Sequence, residues 1–293
     1  MEALFIIAVV LLFTAQSLFC RMYTNHYPGK PQMASPVFTV ISGFLIAAIT
    51  FGFAGFSFSA QNTTLLLAIC NALVLFGYNF FIVRASQLGS YAIMMVFSVA
   101  GGIVLPAIFA ALAFKDEITV PQILSMIAIF AAVYMVSYKK KEEQTGERSK
   151  FLLVCAGLGI CNGAYGVLLD IQGRLTGANE KEEMLMLTFL GAALISVFPI
   201  LFSEKRKTLS VFRQTRASLL FLIICAIAAA GAANLLVFIL QLVSPTLLYT
   251  FDNAGPLLLS VLASCLLFKE KLTPLNAIGC AVMCAGLVCL SLF

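Results

Sequence analysis

The chain has 293 residues, of which 61% are hydrophobic and only 11% are charged. Soluble domains are nearer half apolar and a quarter charged, so this composition excludes an ordinary soluble fold and predicts that lipid surrounds most of the chain. The net charge of +5 is modest and does not indicate a nucleic-acid partner. With one histidine and no phosphate-binding or dinucleotide motif, we expect neither a metal site nor a cofactor.

Ten apolar runs, each long enough to cross a bilayer, follow one another along the chain. The first run carries Glu2 where a signal peptide would be positively charged, so we interpret it as a span and not as a cleavable signal. The expected fold class is an all-α integral membrane protein of ten transmembrane helices. The predicted spans are residues 2–20, 34–56, 61–83, 90–114, 119–138, 151–171, 183–203, 215–241, 245–268 and 272–293.

The basic residues predict how these spans are oriented. Alternate connections collect fifteen of the 18 lysines and arginines on one side and leave Lys115, Arg174 and Lys181 on the other. The richer side should be cytoplasmic, which places both ends of the chain outside. The polar segment 139–150, "KKKEEQTGERSK", is then a cytoplasmic linker between two halves, residues 1–138 and 151–293.

The two halves resemble each other when the chain is shifted by 154 residues. Eleven of the 33 pairs between Gln87 and Thr119 are then identical, including Gln87 with Gln241 and Lys115 with Lys269. Chance similarity between two apolar helices is the alternative. Duplication explains better why polar residues match without a gap. Because five spans are an odd number, the second copy would enter the membrane inverted, an arrangement common in secondary transporters.

Two further stretches carry a family resemblance. They are "GLGICNGAYGVLLDIQGR" (157–174) and "LLFKEKLTPLNAIGCAVMCAGLVCL" (266–290). Together with the ten short spans in two halves, they resemble EamA-like members of the drug/metabolite transporter superfamily. The resemblance implies a ten-helix transporter fold, but its substrates range from amino acids and sugars to nucleotides and cations. The sequence departs from the family in having no tryptophan and in having Ser125 and Ala132 where the second copy has Gly279 and Gly286.

Polar side chains inside a bilayer are costly and usually face a cavity, a partner or a pathway. Asp252 lies about two helical turns inside the ninth run, and its repeat counterpart is Ser98. A desolvated carboxylate there would suit a proton carrier, whereas one beside a bound cation would stay charged. The alternative is an acid that is bathed by an outer vestibule and has no role.

Other polar groups could share a depth with this acid. The candidate substrate-binding residues are Asp252, Tyr249, Asn162, Tyr165, Asn234, Gln16, Asn71 and Tyr78. For each asparagine the ordinary alternative is an interhelical hydrogen bond, and for each tyrosine it is packing. Asp170 and Arg174, four residues apart, are expected to pair across one helical turn.

We therefore predict a secondary active transporter that moves a small polar or amphiphilic metabolite by alternating access. Its expected partners are a small-molecule substrate, the lipid bilayer and protons as a candidate coupling ion. We expect a multi-pass protein of the cell membrane, with a bacterial inner membrane as the favoured location. The alternatives are an intramembrane enzyme acting on a lipid-like substrate, which we disfavour because Asp252 has no intramembrane histidine to work with, and a non-transporting scaffold.

Overall fold

The fold is described from a computed structural model that covers residues 2–138, 146–176, 180–203, 212, 214–239, 245–270 and 272–292. Its regular elements in these ranges are ten α-helices, and each corresponds to one predicted span. They are α1 (Glu2–His26), α2 (Pro31–Phe53), α3 (Asn62–Leu88), α4 (Tyr91–Phe114), α5 (Val120–Ser137), α6 (Gly146–Thr176), α7 (Lys181–Ser203), α8 (Arg216–Ile239), α9 (Pro245–Leu266) and α10 (Pro274–Leu292).

Eight of these helices, α1 to α8, are long and apolar enough to cross a membrane. Within the described residues, α9 and α10 contain shorter apolar stretches, Asn253–Leu266 and Pro274–Leu290. Large apolar side chains cover the outside of the bundle, and Leu112 and Phe202 are each 80% exposed. A surface of this kind is unfavourable in water and suits contact with lipid chains. The predicted all-α integral membrane fold is confirmed.

For two of the helices that extend beyond their predicted ends, the structure shows the reason. Helix α1 continues six residues past Cys20, because Arg21 is held inside the bundle by a hydrogen bond to the Gly89 carbonyl (2.8 Å). Helix α6 begins at Gly146, inside the predicted linker, with Glu147 in its first turn, where a negative charge is favourable. Residues 139–145 of that linker lie outside the described part of the chain.

The helices pair across the two halves of the chain. The most extensive contacts are α4 with α6, α1 with α8, α2 with α7, α5 with α10, α3 with α6, α3 with α7, α1 with α9 and α2 with α8. Replacing every helix by the one five positions away converts this set of pairs into itself. For example, α4 with α6 becomes α9 with α1, while α2 with α7 is unchanged. The pattern is that of an internal two-fold relation between α1–α5 and α6–α10.

Contacts between helix ends fit the predicted alternation of the connections between the two sides of the membrane. Glu180, before α7, accepts hydrogen bonds from the Gln61 amide (3.1 Å) and the Thr64 hydroxyl at the start of α3. At the other end, the Thr215 hydroxyl before α8 donates to the His26 carbonyl of α1 (3.3 Å). Each contact joins two connections that the charge distribution assigns to the same side of the membrane.

Candidate functional site

Polar side chains meet inside the bundle beside α4. The amide nitrogen of Asn162 on α6 donates to the Ser98 carbonyl on α4 (2.8 Å), and Tyr78 on α3 lies beside the Ser98 side chain. Ser98 itself is 4% exposed, whereas Tyr78 and Asn162 are half-buried. Two predicted site residues from different halves of the chain are thus brought together at Ser98.

A second polar group follows about two turns along α4. The Tyr91 hydroxyl lies 2.6 Å from Ser17 Oγ on α1 and accepts a hydrogen bond from Ser260 Oγ on α9 (3.2 Å). All three side chains are buried, and Tyr91 is fully so. A buried phenol that bridges two serines satisfies polar groups that lipid could not satisfy. The polar column (Tyr78, Ser98, Asn162, Tyr91, Ser17 and Ser260) therefore connects α1, α3, α4, α6 and α9.

Asn71, another predicted site residue, is fully buried on α3, and neither its amide nitrogen nor its amide oxygen has a hydrogen-bond partner in the described structure. A buried amide with no partner costs about 1–3 kcal/mol. Such a group is usually compensated by water or a ligand. Because its amide has no partner, Asn71 stays a predicted binding residue.

The remaining predicted residues are more dispersed. Asn234 on α8 donates to its own helix at Ala230 (2.8 Å) and reaches Thr50 Oγ1 on α2 (3.4 Å), as the interhelical alternative expects. Gln16 on α1 is half-buried, and its backbone carbonyl accepts the Cys225 thiol (3.1 Å).

The last three of the eight predicted substrate-binding residues are two tyrosines and an aspartate. Tyr165 lies three residues after Asn162 on α6 and is half-buried. Tyr249 and Asp252 fall within α9, but their side chains lie outside the described residues.

The sequence of this chain matches a known family of membrane proteins. The sequence model of the EamA-like transporter family matches residues 149–292. This match covers just under half of the chain and shows that its second half is similar to the EamA-like transporter family. The family is part of the drug/metabolite transporter superfamily, so the predicted resemblance is confirmed.

Solved structures extend the likeness to the whole length of the chain. One solved structure, a crystal structure of a protein, aligns with this fold with a TM-score of 0.62 and 18% sequence identity. The alignment covers 97% of this chain and 97% of the chain in that structure. At that identity the likeness concerns the fold alone. Among curated proteins, none matches the chain significantly. The members of the EamA-like family are membrane transporters of small molecules. The match therefore indicates a multi-pass membrane protein with this general function.

The EamA-like half packs on the first half through glycines. A Cβ at Gly101 on α4 would lie 2.0 Å from the Gly159 carbonyl oxygen on α6, and one at Gly163 would lie 2.4 Å from the Gly101 carbonyl oxygen. These are backbone contacts that no side chain could enter. The small residues Gly159 and Gly163 thus set the distance between α4 and α6, and this close approach holds Asn162 against Gly102.

The pairing of α5 with α10 explains why the first copy departs from the family pattern. A Cβ at Gly279 would lie 3.2 Å from the Ala132 carbonyl oxygen, and one at Gly286 would lie 3.3 Å from the Ser125 carbonyl oxygen. Each small residue of α5 therefore faces a glycine of α10. Because the EamA-like half supplies the glycines, serine and alanine are small enough on the other helix.

Sequence reasoning missed Ser17, Tyr91 and Ser260, since serine and tyrosine are common in apolar helices. Ser98 had one usable signal, its position as the repeat counterpart of Asp252. The repeat also aligns Asp116 with Glu270, and both acids prove to hold ion pairs with arginines of other helices.

Proposed function

We propose that the protein is a secondary active transporter that moves a small polar or amphiphilic metabolite by alternating access. The observation that carries this proposal is the exchange of helix pairs between the two halves, which supports a duplicated five-helix unit. Two inverted copies can adopt an outward-open and an inward-open state with similar helix packing. Exchanging the conformations of the two copies converts one state into the other.

The polar column supports a substrate site between the copies. Position 252 of α9 corresponds to position 98 of α4, where Tyr78 and Asn162 converge. We propose that Asp252 is a proton site or a counter-ion for a cationic substrate, and that the other predicted residues shape the pocket around it. The unpartnered amide of Asn71 supports a ligand or an ordered water on the α3 side. The proposed location is the cell membrane of a bacterium.

The test is a thermal-shift screen of the purified protein against amino acids, organic cations, sugars and nucleotides. A compound that binds only the folded state raises the melting temperature by mass action. At a concentration of about one hundred times its Kd, it raises the free energy of unfolding by about 2.7 kcal/mol. We expect a hit with the wild-type protein that is lost in Asp252→Asn. Asp170→Asn, which removes an acid at the exposed end of α6, is the matched control and should keep the hit.

The hit is then tested for flux into liposomes at several pH values. Proton coupling predicts uptake that depends on the pH gradient in the wild-type protein and not in Asp252→Asn. Wild-type flux and pH dependence in Asp252→Asn would remove Asp252 from the mechanism. An absence of substrate-dependent flux for every hit would contradict transport and favour a scaffold.

A further inference from the structure

Two acids occupy equivalent positions after α4 and α9. Asp116 and Glu270 are aligned by the 154-residue repeat, and each follows a lysine with a left-handed backbone, Lys115 (φ 61°) and Lys269 (φ 52°). The amide of each acid donates to a carbonyl six residues earlier, Ala110 (3.4 Å) and Ser264 (3.0 Å) respectively. The same helix ending is therefore built twice, and it presents a carboxylate each time.

The Glu270 cluster (Arg21, Ser90, Tyr91, Ser264 and Glu270) ties three helices together. Arg21 of α1 donates to Glu270 Oε1 (2.7 Å), Ser90 Oγ donates to Oε2 (2.6 Å), and the Tyr91 amide at the start of α4 donates to both oxygens (3.0 and 3.1 Å). Ser264 of α9 adds a further hydroxyl donor. The Arg21 and Glu270 side chains are only 11% and 16% exposed, so this charge-assisted network is largely dry.

The Asp116 pair (Asp116 and Arg174) is its counterpart at the other end of the bundle. Arg174 of α6 donates to both oxygens of Asp116 (2.6 and 3.2 Å), which lowers the pKa of that carboxyl below its ordinary value. Arg174 also lies over the Phe114 ring (4.2 Å), as Arg21 lies over Phe268 (4.7 Å), and these two phenylalanines are repeat counterparts. The pair is open to solvent, with exposures of 45% for Asp116 and 38% for Arg174.

Helix α4 shows the same difference along its length. Residues 91–96 and 98–100, toward the Glu270 cluster, are all buried, whereas among residues 101–114, toward the Asp116 pair, only Val104 is. The end of α4 near the Glu270 cluster is thus enclosed by the bundle, and the end near the Asp116 pair is more exposed. The charge distribution assigns the enclosed end to the cytoplasm and the more exposed end to the outside.

We propose that the Glu270 cluster and the Asp116 pair are the two gates of the transport cycle. The structure has the Glu270 cluster closed. In the opposite state the two copies exchange roles, so that the Asp116 pair becomes enclosed and the Glu270 cluster opens to the cytoplasm. This inference rests on the proposed alternating access, and it adds the residues that hold each end shut.

The test is hydrogen–deuterium exchange of the full chain in nanodiscs, comparing wild type with Glu270→Gln and with its counterpart Asp116→Asn. Loss of a charge-assisted hydrogen bond at a closed gate should speed local exchange roughly tenfold or more in the peptide that contains residues 90–96. In the same Glu270→Gln sample, exchange over residues 101–117 should slow, because the outer end closes as the inner end opens. Asp116→Asn should leave residues 90–96 unchanged.

Several controls keep this experiment decisive. Glu270→Asp retains the charge and should restore much of the wild-type pattern. If Glu270→Gln is not monodisperse, Ser90→Ala removes one donor to the carboxylate and should give the same two-ended change with a smaller amplitude. Faster exchange at both ends would mean that the cluster is only structural, and no change at either end would equally overturn the gate.

Failure of the gate can be separated from failure of the transporter. The same variants are put through the thermal-shift screen against amino acids, organic cations, sugars and nucleotides. A retained ligand hit without the reciprocal exchange response discards the gate and leaves transport standing. A reciprocal response in a chain for which no compound gives a hit or flux supports the two-ended motion and contradicts the proposed substrate site.

Discussion

Asn71 and Asn162 are the same residue type in opposite situations. Asn162 donates to the Ser98 carbonyl across the α4–α6 contact, so its amide stabilises the packing of two helices. Asn71 is fully buried with no partner for either amide atom in the described structure, so its amide destabilises the fold unless something binds it. A residue kept at a cost to stability is a candidate for function.

Replacing each asparagine by valine should separate these roles. We expect Asn71→Val to raise the free energy of unfolding by about 1 kcal/mol, because an unpaired buried amide is removed, and to weaken the ligand-induced thermal shift. Asn162→Val should lower it by about 1–2 kcal/mol, because the Ser98 carbonyl loses its donor. Melting curves with and without ligand measure both. Equal destabilisation by the two changes would show that an ordered partner already satisfies Asn71.

At the scale of elements, the contact of α4 with α6 is set by backbone proximity. A Cβ at Gly159 would lie 2.6 Å from the Phe97 carbonyl oxygen, whereas a Cβ at Gly173 on the same helix would meet nothing within 4 Å. The two glycines therefore offer a matched comparison within α6. One is required by packing, and the other only weakens the helix.

Gly159→Ala should destabilise the protein by about 1–3 kcal/mol, because the methyl group forces two backbones apart. Gly173→Ala should stabilise it by up to about 1 kcal/mol through helix propensity alone. Thermal unfolding in detergent, with retention of helix by circular dichroism, measures both. A Gly159→Ala protein as stable as Gly173→Ala would mean that α4 and α6 separate without cost.

The sequence predicts these elements well and their contacts poorly. Length and apolarity located all ten helices, because crossing a bilayer imposes both. Helix ends were less predictable, since α1 extends to His26 through contacts of Arg21 that only tertiary structure supplies. The asparagines in apolar runs were visible as unusual residues, but their partners, Ser98 for Asn162 and Thr50 for Asn234, depend on helix pairing. The repeat register was the one sequence feature that pointed to such pairing.

At the scale of the whole molecule, orientation decides which gate faces the cytoplasm. The structure places Arg21 against Glu270 at one end and Arg174 against Asp116 at the other, so each end contains basic residues. Fifteen of the 18 lysines and arginines lie in, or directly beside, connections that the alternation of spans puts on one side. That excess predicts the cytoplasmic side, with the segment 139–150 on it and both chain ends outside.

Protease-cleavable tags at either end of the chain, or inserted within 139–150, should report this orientation in intact cells. We expect externally added protease to remove both terminal tags and to spare the linker tag, which becomes cleavable only after the cells are lysed. Cleavage of one terminal tag alone would require an odd number of spans and would contradict the ten-helix topology. Cleavage of the linker tag alone would show that the whole molecule has the opposite orientation, with both chain ends in the cytoplasm. The pairing of the helices would stand, and the closed Glu270 cluster would then seal the outer side.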